Sequence, residues 1–172
     1  MTQLLEVATV EQKPSLSSQI AHIAGIIASS EFSTGRRAAL KRMDPVRPLP
    51  LVFYAFAVKH LPAGWETAIK DWAAIIAGMA VMAPSIHKPD TGFGKALADA
   101  DFSEARLERL LAADGDTKRT LFLRAVRLLS SKSIPFNWFD AVTLLLYKDP
   151  EKVEKMKLSL ARDFYLQERA RK

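Results

Sequence analysis

The chain of 172 residues contains no cysteine, so disulfide staples, zinc ribbons and thiol nucleophiles have no raw material. Glycine is scarce at 7 residues, which excludes collagen-like and glycine-rich low-complexity architectures. His22, His60 and His87 are the only histidines, stand far apart, and have no acidic neighbours at ligand spacing. Neither a metal centre nor a cofactor is expected from them. The longest uncharged run, Trp72 to His87, is interrupted by Pro84 and Ser85 and falls short of the roughly 18–20 apolar residues that span a bilayer. The start, Met1-Thr2-Gln3-Leu4-Leu5-Glu6, lacks the basic segment and apolar stretch of a secretory signal. These absences predict a cytoplasmic protein with no membrane contact.

What the chain does have is apolar material, 49% of residues, and an excess of base, 25 Lys and Arg against 19 Asp and Glu, for a net charge of +6. The excess is segregated. Residues 31–60 carry Arg36, Arg37, Lys41, Arg42, Arg47 and Lys59 against Glu31 and Asp44. Residues 117–148 carry Lys118, Arg119, Arg124, Arg127, Lys132 and Lys148 against Asp140 alone, while the stretch between the two is net acidic. Gathering like charges costs a fold energy unless something negative is met, which points to nucleic acid, an acidic protein or a solvated face.

Apolar residues recur with helical period almost throughout, and no segment alternates with period two. Helices are expected from Pro14-Ser15 through Ile27, over Arg36–Met43 behind a Ser33 cap, over Leu51–Leu61 and over Trp65–Ala83. After the irregular Pro84–Gly94 stretch, further helices are expected over Gly94–Ala100, from Ser103 to Leu111, from a cap at Asp116 to Ser131, over Trp138–Lys148 behind an Asn137/Asp140 capping box, and from Asp149-Pro150 to Arg169. The expected fold is all-α: a compact bundle of about eight helices, with an extension at residues 1–14 and two small helical lobes at 15–88 and 89–172. Trp65, Trp72, Phe122 and Trp138 fall on apolar faces, so stacking platforms are not expected among them.

On the helix beginning near Asp116, Thr120, Arg124, Arg127 and Ser131 line one side at i, i+4, i+7 and i+11, opposite Leu121, Phe122, Ala125, Val126 and Leu129. Two guanidiniums flanked by two hydroxyls suit phosphate, and the stripe extends roughly 16 Å at the helical rise. On the short earlier helix Arg37, Lys41 and Arg42 should face outward and Arg36 toward the apolar side. Gly92-Phe93-Gly94-Lys95 suggests a phosphate loop but fails as one, with Pro89 at the first glycine position and Ala96 where Ser or Thr would bind Mg²⁺. Its backbone N–H groups and Lys95 could still meet one phosphate. Lys155, Ser159 and Arg162 form a third, weaker stripe.

Gly35-Arg36-Arg37-Ala38-Ala39-Leu40-Lys41-Arg42, Gly92-Phe93-Gly94-Lys95-Ala96-Leu97-Ala98, Ser103-Glu104-Ala105-Arg106-Leu107-Glu108-Arg109-Leu110-Leu111, Arg124-Ala125-Val126-Arg127-Leu128-Leu129, Ile134-Pro135-Phe136-Asn137-Trp138 and Ala161-Arg162-Asp163-Phe164-Tyr165 together resemble, in order and spacing, the CasB family, the small subunit of the type I-E CRISPR interference complex Cascade. The match covers about residues 20–166; Lys41 and Lys95 stand where the family commonly has arginine. The resemblance implies a non-catalytic helical subunit that occurs as a pair with a second copy of itself, lies along the guide crRNA and target DNA beside other Cascade subunits, and holds the displaced strand of the R-loop. It places Arg36, Arg37, Lys41, Arg42, Lys95, Arg106, Arg109, Arg124, Arg127 and Arg162 in matching motifs; Arg119, Thr120, Ser131 and Lys132 complete the expected contact set. The competing expectation is a helical protein–protein interaction module whose basic faces bind an acidic partner.

Overall fold

The computed structural model describes residues 13–172; residues 1–12, most of the expected N-terminal extension, lie outside the described residues. Among the described residues nine α-helices form: α1 (Leu16–Ala28), α2 (Thr34–Lys41), α3 (Leu51–His60), α4 (Ile69–Met82), α5 (Phe93–Asp99), α6 (Glu104–Ala112), α7 (Gly115–Ser131), α8 (Trp138–Leu146) and α9 (Pro150–Arg171). A 3-10 turn, Trp65–Ala68, precedes α4. Among the described residues there is no strand, only an isolated bridge between His87 and Phe136, so the all-α expectation holds.

Local chemistry explains most helix starts. The hydroxyls of Ser15, Ser33 and Ser103 accept from the backbone N–H three residues on, and Asp149 does the same for Lys152 ahead of Pro150. These are the groups a helix N-terminus leaves unsatisfied. Two expectations are corrected. The long helix α7 starts at Gly115 rather than at an Asp116 cap: Asp114 is the N-cap residue and its carbonyl accepts the first helical bond, from Lys118 N–H, while Gly115 at φ +53° takes the left-handed conformation of the turn into the helix. Asn137 caps α8 through Phe139 N–H, but Asp140 does not return the favour as a capping box would; its carboxylate accepts instead from Phe93 N–H, 3.0 Å away at the start of α5. One helix thus supplies the cap of another.

Helix α4 is the axis of the core. Every residue from Asp71 to Met82 is buried, as expected of a helix apolar on all sides. It packs against α7 and α2, with α1 and α8 also in contact. The apolar core is continuous across Pro84–Thr91, where Trp138 donates from Nε1 to Ile86 O and from its backbone N to His87 Nδ1. Burial of the His87 ring lowers its pKa, which suits a neutral imidazole accepting that bond.

Helix α5 packs extensively on α9. A Cβ at Gly94 would fall well inside van der Waals distance of the Leu160 carbonyl oxygen and lie 3.1 Å from Phe164 N, so only glycine lets the two backbones meet. Because the obstacle is helix backbone and cannot rotate aside, Gly94→Ala is expected to cost about 1–3 kcal/mol, the usual range for overpacking. That lowers the melting temperature by roughly 2–12 °C in a domain of this size. A variant melting with the wild type would show that the α5–α9 contact gives way freely.

Candidate nucleic-acid interface

The fold sorts the expected contact residues into three groups. The first is spent internally. Arg37, expected to face outward, is instead half-buried: Nε donates to Ile27 O at 2.8 Å and Nη2 to Ser29 O at 2.7 Å, over the Phe32 ring. It closes the C-terminal end of α1, where carbonyls lack partners and cations are favoured. Arg36 is the exposed one of the pair. Arg119 is turned inward, its side chain 15% exposed, with Nε 2.8 Å from Asp71 Oδ1 and Nη1 2.7 Å from Asp116 Oδ1. Lys132 meets Asp101 at 3.3 Å, a carboxylate shared with Arg171. Asp101 is held below the usual carboxylate range by hydrogen bonds from these two cations. Arg171 also donates to Ala98 O.

The second group is brought together. Arg106 and Arg109 on α6 and Arg124 on α7 converge on a groove of about 270 Å³ whose remaining lining is Phe102, Leu121 and Leu128. All three arginines are exposed, and no carboxylate lies within salt-bridge distance of any of them among the described residues. Arg127 follows one turn along α7, exposed and equally unpaired, and Ser131, whose hydroxyl donates to Leu128 O, ends the stripe; Thr120 is half-buried at its start. The α7 stripe therefore faces solvent as expected, with α6 adding two guanidiniums beside it.

The third group is exposed but apart. Arg36, Lys41 and Arg42 stand on and just after α2, and Arg162 on α9. Arg36 borders a wider groove of about 700 Å³ with Phe32, Leu51, Val52, Phe56 and Lys59. Lys95 is exposed too, but the backbone N–H expected to meet a phosphate beside it is already taken by Asp140, and a Cβ on Gly92 would lie 2.9 Å from Asp163 Oδ2. Two carboxylates at that turn oppose an anion. Burial, followed by the neighbouring Asp163 charge, pushes the Asp140 carboxyl above its ordinary range against the lowering effect of the Phe93 hydrogen bond.

A carboxyl raised in the folded state stabilises fully below its unfolded pKa, and that advantage is lost as pH rises through the folded value. Asp140→Asn keeps an acceptor for Phe93 N–H and cannot ionise. Its melting temperature is expected to match or exceed wild type at pH 7, with the difference closing as pH falls toward 4. Asp140→Ala, which strands the N–H, is expected to lose about 0.5–2 kcal/mol. Thermal melts of both variants from pH 4 to pH 7 check this; an Asn variant less stable than wild type at pH 7 would overturn it.

Two features escape a reading of the linear pattern. Asp71 is a lone carboxylate within the apolar α4, 6% exposed in its side chain and paired with both Arg119 and Lys148; a buried charge demands such a partner, which was the signal available. Lys118, Lys148 and Lys157 also share a groove at the head of α7. Burial and then the other two lysines lower the Lys118 pKa. Asp71, Asp114 and Glu154 line the same groove and offset its charge.

The chain is thus a small all-α protein with an arginine surface centred on α6 and α7 that has no carboxylate partner among the described residues. The sequence model of the family described as CRISPR-associated protein Cse2 (CRISPR_cse2) matches residues 36–165, well over half of the sequence, and the chain belongs to that family. The fold is similar to that of a chain in the crystal structure of E. coli Cascade bound to a PAM-containing dsDNA target with a 32-nt spacer, with a TM-score of 0.59 and 17% identity over 90% of this chain and 99% of that one. No curated protein matches the sequence. Among the described residues no helix is long and apolar enough to cross a membrane.

Proposed function

We propose that this chain is the non-catalytic small subunit of a type I-E Cascade complex and holds separated nucleic-acid strands by their backbone, the displaced strand of the R-loop above all. The observation that carries this reading is the convergence of Arg106, Arg109 and Arg124 without a carboxylate, continued by Arg127. Guide pairing supplies sequence specificity in such complexes, and strand exchange is nearly balanced energetically. A few phosphate contacts on the strand set free are then enough to keep the open state. Membership of the Cse2 family and the fold shared with a chain of DNA-bound Cascade support the assignment.

The test is binding of the full chain, alone and assembled with the other subunits, to single-stranded and R-loop DNA across a salt series. Log affinity should fall linearly with log salt. Absence of binding in both settings would favour a module that meets only protein.

A subunit also needs protein contacts, and the surface offers an apolar candidate. Leu51 and Val58 on α3 are 85% and 78% exposed, with Tyr54 between them, an arrangement that costs solubility unless covered. This face is where we place a neighbouring subunit of the complex, in line with the fold shared with a chain of assembled Cascade. Leu51→Asp combined with Val58→Asp is expected to leave stability within about 0.5 kcal/mol of wild type while reducing incorporation into the complex by about tenfold or more. Normal incorporation, measured by co-purification, would remove α3 from the assembly surface.

A further inference from the structure

We propose that the groove between α6 and α7 seats one unstacked base of the strand whose phosphates the surrounding arginines hold. This rests on the nucleic-acid reading above and adds to it a direct contact with a base.

The groove has two chemistries at once. Phe102 is buried, and Leu121 and Leu128 are half-buried, so its floor is apolar; Arg106, Arg109 and Arg124 form its walls. A phosphate alone would use the guanidiniums and leave the floor unmet. An apolar peptide side chain would use the floor and leave three cations without partners. A nucleotide satisfies both: its ring lies on apolar surface and against guanidinium planes, which are weakly hydrated and stack on π systems, while its phosphate takes the outward N–H groups.

Size and charge agree. About 270 Å³ falls just below the range of pockets that enclose drug-sized ligands, which suits a single ring system and no more. A base paired within a duplex cannot enter, so the site would read single-strandedness rather than sequence, as aromatic platforms do elsewhere. Four other grooves on the surface each include at least one carboxylate: Asp140 and Asp163 in one, Asp71, Asp114 and Glu154 in the second, Glu31 in the third, Glu151 and Glu154 in the fourth. The α6–α7 groove has none, although Glu104 and Glu108 lie on α6 itself. Trp65, Trp72, Phe122 and Trp138 cannot supply the base contact, because the first is half-buried and the others are buried.

The experiment compares the full chain's affinity for an end-labelled oligothymidylate and for an abasic strand of equal length and charge, by fluorescence anisotropy. The base-bearing strand is expected to bind about five- to one-hundredfold tighter, the range of one to a few stacking contacts. Leu121→Trp, which fills the groove, should bring both strands to the affinity of the abasic one. Equal binding of the two strands by the wild type overturns the base seat while leaving backbone holding intact, and binding of neither overturns both readings. Should Leu121→Trp fail to fold, a strand carrying a single 2-aminopurine reports on the wild type alone. Its emission is expected to change on binding, and unchanged emission at saturation overturns the proposal.

Discussion

Arg119→Ala is expected to damage stability far more than nucleic-acid binding. Its guanidinium bridges Asp71, 6% exposed, and Asp116 on the first turn of its own helix. Removing one member of a buried ion pair costs about 3–5 kcal/mol, because the remaining charge keeps its desolvation penalty without its partner. Lys148, 3.5 Å from the other Asp71 oxygen but 72% exposed, offsets part of this, so the lower end of the range applies. The melting temperature should fall by roughly 6–12 °C. Two companions isolate the cause. Asp71→Asn should destabilise by a similar mechanism, and Asp71→Leu combined with Arg119→Leu should recover most of the loss, since apolar replacement of a buried pair is often neutral. DNA affinity of the folded fraction should remain near wild type. An Arg119→Ala protein that melts normally and binds DNA weakly would return this arginine to the contact surface.

The contrast between Arg119 and Arg124, five residues apart on one helix, shows where reading along the chain stops. Helical period places both on α7, and helix starts were legible because the groups that set them are adjacent in sequence: Ser33, Ser103 and Asp149 each cap the turn that follows. The bundle itself followed from apolar spacing, most plainly in α4. Charge is different, since a stripe of cations is identical on paper whether or not a distant carboxylate folds over it. Asp71 lies 48 residues before Arg119, Asp101 31 residues before Lys132, and Phe93 takes Asp140 from 47 residues away. Arg37 is spent on carbonyls of the preceding helix, which needs the angle of the α1–α2 turn. For the same reason the pairing of Arg106 and Arg109 with Arg124 could not be seen as a groove until α6 was laid on α7. A cluster of cations therefore becomes a candidate surface only after the internal ion pairs have been removed from it.

What survives that subtraction makes the second large effect specific. Arg124→Ala combined with Arg127→Ala removes two exposed guanidiniums that have no carboxylate within salt-bridge distance among the described residues, so stability should stay within about 0.5 kcal/mol of wild type. Binding should not. Each phosphate neutralised contributes about 0.7 to the slope of log affinity against log salt on a single strand, and about 0.9 on duplex. Losing two contacts should therefore flatten the slope by about 1.4–1.8. On a single strand the variant's deficit would shrink roughly sevenfold between 50 mM and 200 mM salt, because the wild type loses its counterion-release advantage over that interval. That pattern separates phosphate contact from a general loss of fold, which would lower affinity equally at both salts. Assembly with the other subunits should be unaffected, so retention of R-loop DNA by the complex would weaken at constant composition. An unchanged slope, measured on a variant of normal melting temperature, would remove α7 from the interface and leave the exposed cations of α2, α6 and α9 as the remaining candidates.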